Sequence, residues 1–321
     1  MLYNKLTEDK MIAVPGIPNI TGLTFRHFRG ESDYPAMLAV IERSKDVDQD
    51  ERSETLEDMK RNYAHLVNCD PYQDMIFAEV NNHVIGYGRV FWATLDDGTR
   101  TYTHFATLLP EWRGKGIRRA MLRNNEQRLR EIAAEHPVCV QRWFEAWASE
   151  VERDWCSLLS SEGYQAVRHG YQMVRPDLEA IPNLPLPKGL ETRPIGPDQY
   201  WQVWYAAKEA FRDHWGYSDD EWAETYFEGW MKDPTFMPEL WQVAWAGDEV
   251  AGMVLNFINE AENQEYNRLR GYPETICVRR PWRRRGLARA LIARSLQVLK
   301  EQGMTEACLG VDAQNPNGAR H

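Results

Sequence analysis

Hydrophobic and polar positions along the 321-residue chain fall into two rounds of one order. In the first, alternating or continuous apolar runs predict strands at 23–28, 74–80, 84–95 and 101–109, and 3.6-residue spacing predicts helices over 34–44 and 54–66. An Arg–Gly turn and a long helix to about Glu135 follow, then a strand over 138–146, a helix over 151–163 and a strand over 164–174. The second round predicts a strand at 190–195, helices over 199–211 and 219–231, and strands at 241–247, 250–259 and 275–279. A second Arg–Gly turn leads into a helix over 287–303 and a strand over 306–313, without the helix and strand that close the first round.

The two rounds are related in sequence as well as in pattern. Thr101–Leu122 and Gly271–Ile292 align without a gap at an offset of 170 (271 − 101), with identities at Tyr102/Tyr272, Trp112/Trp282, Arg113/Arg283, Gly116/Gly286, Arg119/Arg289 and Ala120/Ala290. Upstream, the hairpin-like pieces from Ala78 and Ala244 match at an offset of 166 (244 − 78). Repeats of this length are a domain duplication, since solenoid repeats run ~20 to 50 residues. Between the copies, Arg175–Gly189 carries four of the 17 prolines and reads as a linker. The expected layout is a domain over 1–176, a linker over 177–189, and a second domain over 190–321 that lacks its last strand.

The Arg–Gly turns carry the candidate chemistry. Val278–Leu291 holds six arginines around Gly286. A strand that turns into a helix beginning with Gly and small residues leaves backbone N–H groups unpaired and pointing one way, an anion site with the helix dipole behind it. Gly286 lets the backbone approach a ligand, Ala288 adds little bulk, and Arg283, Arg284 and Arg285 supply charge for phosphate oxygens. Neither GxxxxGK[ST] nor GxGxxG occurs at either turn, which excludes the P-loop and the dinucleotide fingerprint. The bland alternative is an exposed basic turn that only starts a helix.

Composition narrows the classes. With 43% hydrophobic and 27% charged residues the chain is globular, and a formal charge of −10 argues against a general nucleic-acid binder despite the local arginines. No window is apolar and long enough to cross a membrane, and the first residues lack a signal-peptide pattern, so a cytoplasmic protein is expected. Cys69, Cys139, Cys156, Cys277 and Cys308 are scattered singly, so reduced thiols and no metal site are expected.

These turns resemble the acyl-CoA signature [RQ]-x-x-G-x-[GA] of the GNAT superfamily of N-acyltransferases. Arg283, Gly286 and Ala288 match it fully; Arg113 and Gly116 match, while Arg118 stands where Gly or Ala belongs. The resemblance spans both copies and is similar in layout to tandem members such as mycothiol synthase, in which the C-terminal copy does the chemistry. It implies an α/β (α+β) fold of two tandem GNAT-like domains, each a mixed, mostly antiparallel sheet flanked by helices. It also implies acetyl-CoA as co-substrate, its pyrophosphate on Arg283–Ala288 with Leu287 opening the helix, and its pantetheine arm against the strand ending at Val278. Asn315, in a family-like N-P-x-G-A run, is an expected ligand of that arm. A second, degenerate cofactor site would comprise Leu108, Arg113, Gly114, Lys115 and Gly116, with Glu152 near the place of Asn315 and Leu159 in place of the family's thiol-protonating tyrosine.

An amine is protonated at neutral pH and needs a base before it can attack a thioester. Glu274 is the first candidate, four residues before Val278 and on the same sheet face if the strand is regular; His104 is its counterpart at the same offset. Tyr272 is a candidate acid, and the Val278 N–H a candidate oxyanion donor. Asp213, His214, Trp215, Tyr217 and Trp222 could line a pocket for a cationic small-molecule amine, or simply be helix core. The expected function is acetyl transfer from acetyl-CoA to such an amine by direct attack, in a monomer or homodimer without nucleic-acid or membrane partners. The alternative is a non-catalytic acyl-CoA-binding or regulatory module.

Overall fold

The structure, a computed structural model, describes residues 12–138 and 141–314. It divides into two compact units, 1–165 and 166–321.

In the first unit, strand β1 (Leu23–Arg26) is followed by helices α1 (Tyr34–Asp48), α2 (Leu56–Ala64) and α3 (Pro71–Asp74) and by strands β2 (Met75–Val80), β3 (His83–Thr94) and β4 (Arg100–Leu108). Helix α4 (Ile117–Glu135), strand β5 (Arg142–Glu145) and helix α5 (Arg153–Ser161) complete it. The sheet order is β1-β2-β3-β4-β5, antiparallel except for β4 and β5. All six residues of β2 are buried, as they must be in a strand covered on both faces. Met37 and Val40 of α1 and Ile117, Ala120 and Met121 of α4 pack with Phe25, Phe77 and Leu108.

The second unit opens with a strand that the sequence pattern assigns to the first repeat. Strand β6 (Gly170–Arg175) pairs antiparallel with β11 (Glu306–Asp312), from Ala307↔Arg175 to Asp312↔Gly170. Between them come β7 (Glu191–Thr192), α6 (Tyr200–Phe211), α7 (Glu224–Trp230), β8 (Gln242–Ala246), β9 (Glu249–Ile258), α8 (Glu260–Glu265), β10 (Arg270–Val278) and α9 (Leu287–Glu301). The sheet order is β6-β11-β10-β9-β8-β7. The boundary therefore differs from the expected one at 176, and the edge of β11 expected to lack a strand is filled by β6. Ladder pairing is set by long-range backbone complementarity, which a local apolar pattern does not specify.

The second sheet is also covered on both faces. Val203, Ala206 and Ala207 of α6 pack on Val243, Trp245, Met253, Leu255 and Cys277. On the other face Leu287 and Leu291 of α9 meet Ala244 and Val254, and Leu299 meets Ala307. Spacings of three and four along α9 (Leu287, Ala290, Leu291, Ser295, Leu299) produce that buried stripe.

Candidate functional site

Strand β10 is broken in the middle. It pairs with β9 at Glu274↔Leu255 and then at Cys277↔Met253, three residues against two, and Thr275 sits at φ +49°. This is a β-bulge, and a β-branched residue in the left-handed region is rare enough to mark a built feature. Beyond Arg270↔Glu306 and Gly271↔Ala307, β10 and β11 no longer pair, so the two strands splay.

The bulge changes which side chains share a face. Leu255 and Met253 both lie in the α6-side core, so Glu274 and Cys277, opposite them, face that side, whereas Ile276 and Val278 pack with Leu287 and Leu291 under α9. Glu274 and Val278 are therefore on opposite faces, contrary to the regular-strand expectation, because the extra residue inverts the parity. Glu274 Oε1 accepts a hydrogen bond from the Gly310 N–H across the splay at 3.2 Å. Burial raises its carboxyl above the ordinary glutamate value, more than this hydrogen bond lowers it. The Arg279 N–H donates to Ala251 O in the ladder, so by alternation the Val278 N–H points the other way, into the splay.

After Val278 the chain turns through left-handed Arg284 (φ +60°) and Gly286 (φ +83°) into α9. Gly286 is the N-cap with no side-chain cap, and its carbonyl accepts from the Ala290 N–H. The N–H groups of Leu287, Ala288 and Arg289 thus have no helical acceptor, and the positive end of the α9 dipole is bare. No atom lies within 4 Å of where a Cβ on Gly286 would stand, so glycine is there for its backbone angles and the space above it is open. An anion fits this cradle.

Arg283 has a different job from the expected phosphate contact. Its Nε donates to Val278 O (2.8 Å), Nη2 donates to Ala210 O (3.0 Å), and Nη1 pairs with Asp213. It ties the strand end to the C-terminus of α6. Asp213 also holds Arg280, and bonds from these two guanidiniums keep its carboxyl far below the usual range. Asp213 is thus a buttress of the turn and not the free carboxylate of an amine pocket. Arg113 repeats the device in the first unit, with Nε on Leu108 O (2.9 Å) and both Nη atoms on Asp48.

The first unit keeps the turn and loses the opening. Gly114 (φ +72°) and Gly116 (φ +83°) match the angles of Arg284 and Gly286, and Lys115 lies over the Trp112 ring at 4.6 Å. Yet β3 and β4 pair without a shift from Gly86↔Leu108 to Thr94↔Arg100, so β4 has no bulge. Past Thr103↔Glu145 the edge of β4 is free of β5, and Arg118 fills it. Its Nε donates to Ala106 O (2.6 Å), its Nη2 pairs with Glu152 (2.9 Å), and its guanidinium lies 4.1 Å from the Trp155 ring centroid. At the matching place in the second unit Ala288 has no donor for the Ile276 carbonyl. Without the bulge, His104 faces α4 and α5, bonded through Nε2 to Tyr164 O–H (2.8 Å), which donates to Glu126 (3.0 Å). It is not the spatial counterpart of Glu274.

The acetyltransferase (GNAT) family model matches residues 37–146 and 203–320. The chain belongs to the GNAT family. No curated protein is a significant match in sequence. A GCN5-related N-acetyltransferase from Sphaerobacter thermophilus is similar in structure, with a TM-score of 0.66 at 22% identity over 92% of this chain and 89% of that one. A tandem GNAT protein from the clavulanic acid biosynthesis pathway has a TM-score of 0.60 at 16% identity, over 91% of each chain. A glucosamine N-acetyltransferase region of a fungal multi-domain β-N-acetylglucosaminidase reaches 0.64 at 12% identity, over 90% of this chain and 35% of that one. At these identities the likeness is one of fold.

The remaining residues singled out from sequence are dispersed around this GNAT site. The Tyr272 hydroxyl donates to Glu262 Oε2 (2.5 Å) and accepts from Arg268 (3.2 Å), and burial with the Glu262 bond pushes it up to about 12. It does not serve the splay as an acid, because its proton is held by Glu262. Trp222 packs on Trp204 (centroids 4.6 Å) as part of the α6–α7 core, and buried Tyr217 donates to Asp219 (2.8 Å). His214 and Trp215 stay exposed in the loop after α6. Asn315 lies outside the described residues. Among the described residues no cluster suits a metal ion, and no helix is long and apolar enough to cross a membrane.

Sequence reasoning missed Gly310, Asp312 and Arg168. Gly310 and Asp312 lie on the face of β11 opposite Ala307, which packs under α9, and so on the face toward which Glu274 projects. Only the pairing of β11 with its neighbours brings them there.

Proposed function

We propose that the second unit transfers an acetyl group from acetyl-CoA to a small primary amine. The observation that carries this reading is the Thr275 bulge, which opens β10 from β11 beside a bare helix N-terminus and aims a raised carboxylate into the opening. The pyrophosphate of coenzyme A would lie on the N–H groups of Leu287, Ala288 and Arg289 within the turn of Arg284, Arg285 and Gly286. The pantetheine arm would pair with the free edge of Ile276 and Val278, as a strand would. Arg283 braces this turn from behind.

On that reading the Val278 N–H faces the thioester oxygen and stabilises the charge that develops there. The amine nitrogen attacks the carbonyl carbon as its proton passes to Glu274, directly or through one water. The C–S bond then breaks, leaving an amide and free coenzyme A. A carboxyl raised by burial suits a base that works near neutral pH. The first unit, with Arg118 across the free edge of β4, does not turn over.

The test is thiol release on mixing acetyl-CoA with glucosamine, spermidine, tyramine and glycine. Release is expected with at least one amine and is lost in Gly286→Glu, which puts a carboxylate on the anion cradle at a backbone angle that favours glycine. Undiminished release from that variant would overturn the assignment.

A further inference from the structure

The strand that completes the second sheet also brings a side chain to the acceptor side of the site. Antiparallel partners share a face, so Gly170 (opposite Asp312) and Gln172 (opposite Gly310) line the surface toward which Glu274 projects. Gly170 and Gly310 are diagonal neighbours across this pairing and leave open the space over themselves, between the side chains of Gln172 and Asp312. A Cβ on Gly310 would meet nothing within 4 Å, and one on Gly170 only the Val311 carbonyl at 3.8 Å. A shallow trough therefore runs diagonally over the two glycines, between Gln172 and Asp312, beside the Glu274 carboxylate.

Arg168, two residues before β6 begins at Gly170, closes the end of this trough. Its Nη2 pairs with Asp312, its Nη1 donates to Gln314 Oε1 (3.1 Å), and its guanidinium lies 4.8 Å from the centroid of Trp215. Its side chain is 15% exposed, whereas Trp215 is 46% exposed in the loop after α6. Burial raises the Asp312 carboxyl, but its bonds from Arg168 and the Gln314 N–H, with the Arg168 and His214 charges, bring it below the ordinary range. One guanidinium thus joins the end of β11, the loop carrying His214 and Trp215, and the strand from the first repeat. A planar cation can stack on an indole and pair with a carboxylate at once, which an ammonium cannot do as well.

We infer that Arg168 is a positioning residue for the amine acceptor: it holds Trp215 and Asp312 as the end wall of the Gly170–Gly310 trough, so the first repeat's strand shapes the second unit's substrate site. This rests on the proposed acetyl transfer. A primary amine lying over the two glycines would present its nitrogen to Glu274 and its carbon body to the exposed Trp215 face.

The test compares full-length wild type with Arg168→Gln and Arg168→Lys. Coenzyme A binding by calorimetry should be unchanged, because Arg168 touches neither the α9 turn nor the Ile276–Val278 edge. With the best amine of the panel above, the acceptor KM should rise about tenfold or more in Arg168→Gln while the KM for acetyl-CoA stays within about twofold. Arg168→Lys, which keeps the charge beside Asp312 and loses the stack, should recover only part of the loss. Hydrogen exchange over 212–217 should quicken in Arg168→Gln with no change over 287–301. An unchanged acceptor KM, equal rises in both KM values, or unchanged exchange at 212–217 overturns the inference. Failure of wild type to bind coenzyme A or to acetylate any amine overturns the proposed function instead, and the exchange comparison still decides whether Arg168 holds the loop.

Discussion

Glu274 and Gly310 lie on strands that have stopped pairing with each other, and the carboxylate of one accepts the N–H of the other at 3.2 Å. The bond spans the opening instead of a ladder, so the residue that would take a proton from the amine is held at the splay by main chain.

Loss of that carboxylate should slow the chemistry by ~10²- to 10⁴-fold in kcat for Glu274→Gln, with coenzyme A affinity retained. Wild-type kcat should rise with pH through a value above the ordinary glutamate range, since the base works deprotonated and burial raises it. The stability effect has the opposite sign. A carboxyl raised on folding binds more protons in the folded state, so stability falls as pH climbs from the unfolded value through the raised one. Glu274→Gln should therefore have the higher Tm at pH 7, read by calorimetry; a lower Tm would count against a burial-raised carboxylate.

Arg118 and Ala288 occupy matching positions, and only the arginine reaches the free strand carbonyl, Ala106 O at 2.6 Å. Wild type is expected to bind one coenzyme A per chain. Ala288→Arg, which copies the first unit's closure into the second, should abolish the calorimetric signal. Two equivalents in wild type, or unaltered binding in Ala288→Arg, would contradict the closure.

Buried His104 gives the first unit an acid limit. Burial lowers its imidazole to about 4 against an ordinary 6.5. Its stabilising contribution is complete above about 6.5 and is lost as pH falls toward the folded value, roughly 3 kcal/mol at 1.36 kcal/mol per pH unit. Denaturant unfolding of wild type should therefore weaken between pH 6.5 and 4. His104→Gln should show a flatter profile over the same window.

Arg284 holds a left-handed angle that Gly114 fills in the other copy. Arg284→Gly should relieve about 1 kcal/mol of backbone strain, partly offset by unfolded-state entropy, and raise Tm by ~1 to 3 °C. A fall in Tm would mean that the arginine side chain contributes more than its backbone angle costs.

Much of the fold was legible because it is written in short-range periodicity. The stripe of α9, the continuous apolar runs of β8 and β9, and the strand–turn–helix around Gly286 follow from residues within a few positions of one another. So does the duplication. The arginines were easy to see and hard to interpret: Arg283 and Arg113 look like phosphate ligands by sequence, but their partners, Asp213 and Asp48, lie 70 and 65 residues away.

Sequence alone determined that there are two related halves, each with an Arg–x–x–Gly turn at the start of a helix, and that only one half has a small residue, Ala288, two positions after the glycine. Tertiary structure decided the rest. One extra residue at Thr275 inverts the parity of β10, separating Glu274 from Val278 and from its apparent counterpart His104. Pairing of β6 with β11 carries Arg168 out of the first repeat and into the second unit. Both depend on backbone hydrogen bonds between distant segments, for which the side-chain pattern of either segment alone contains no address.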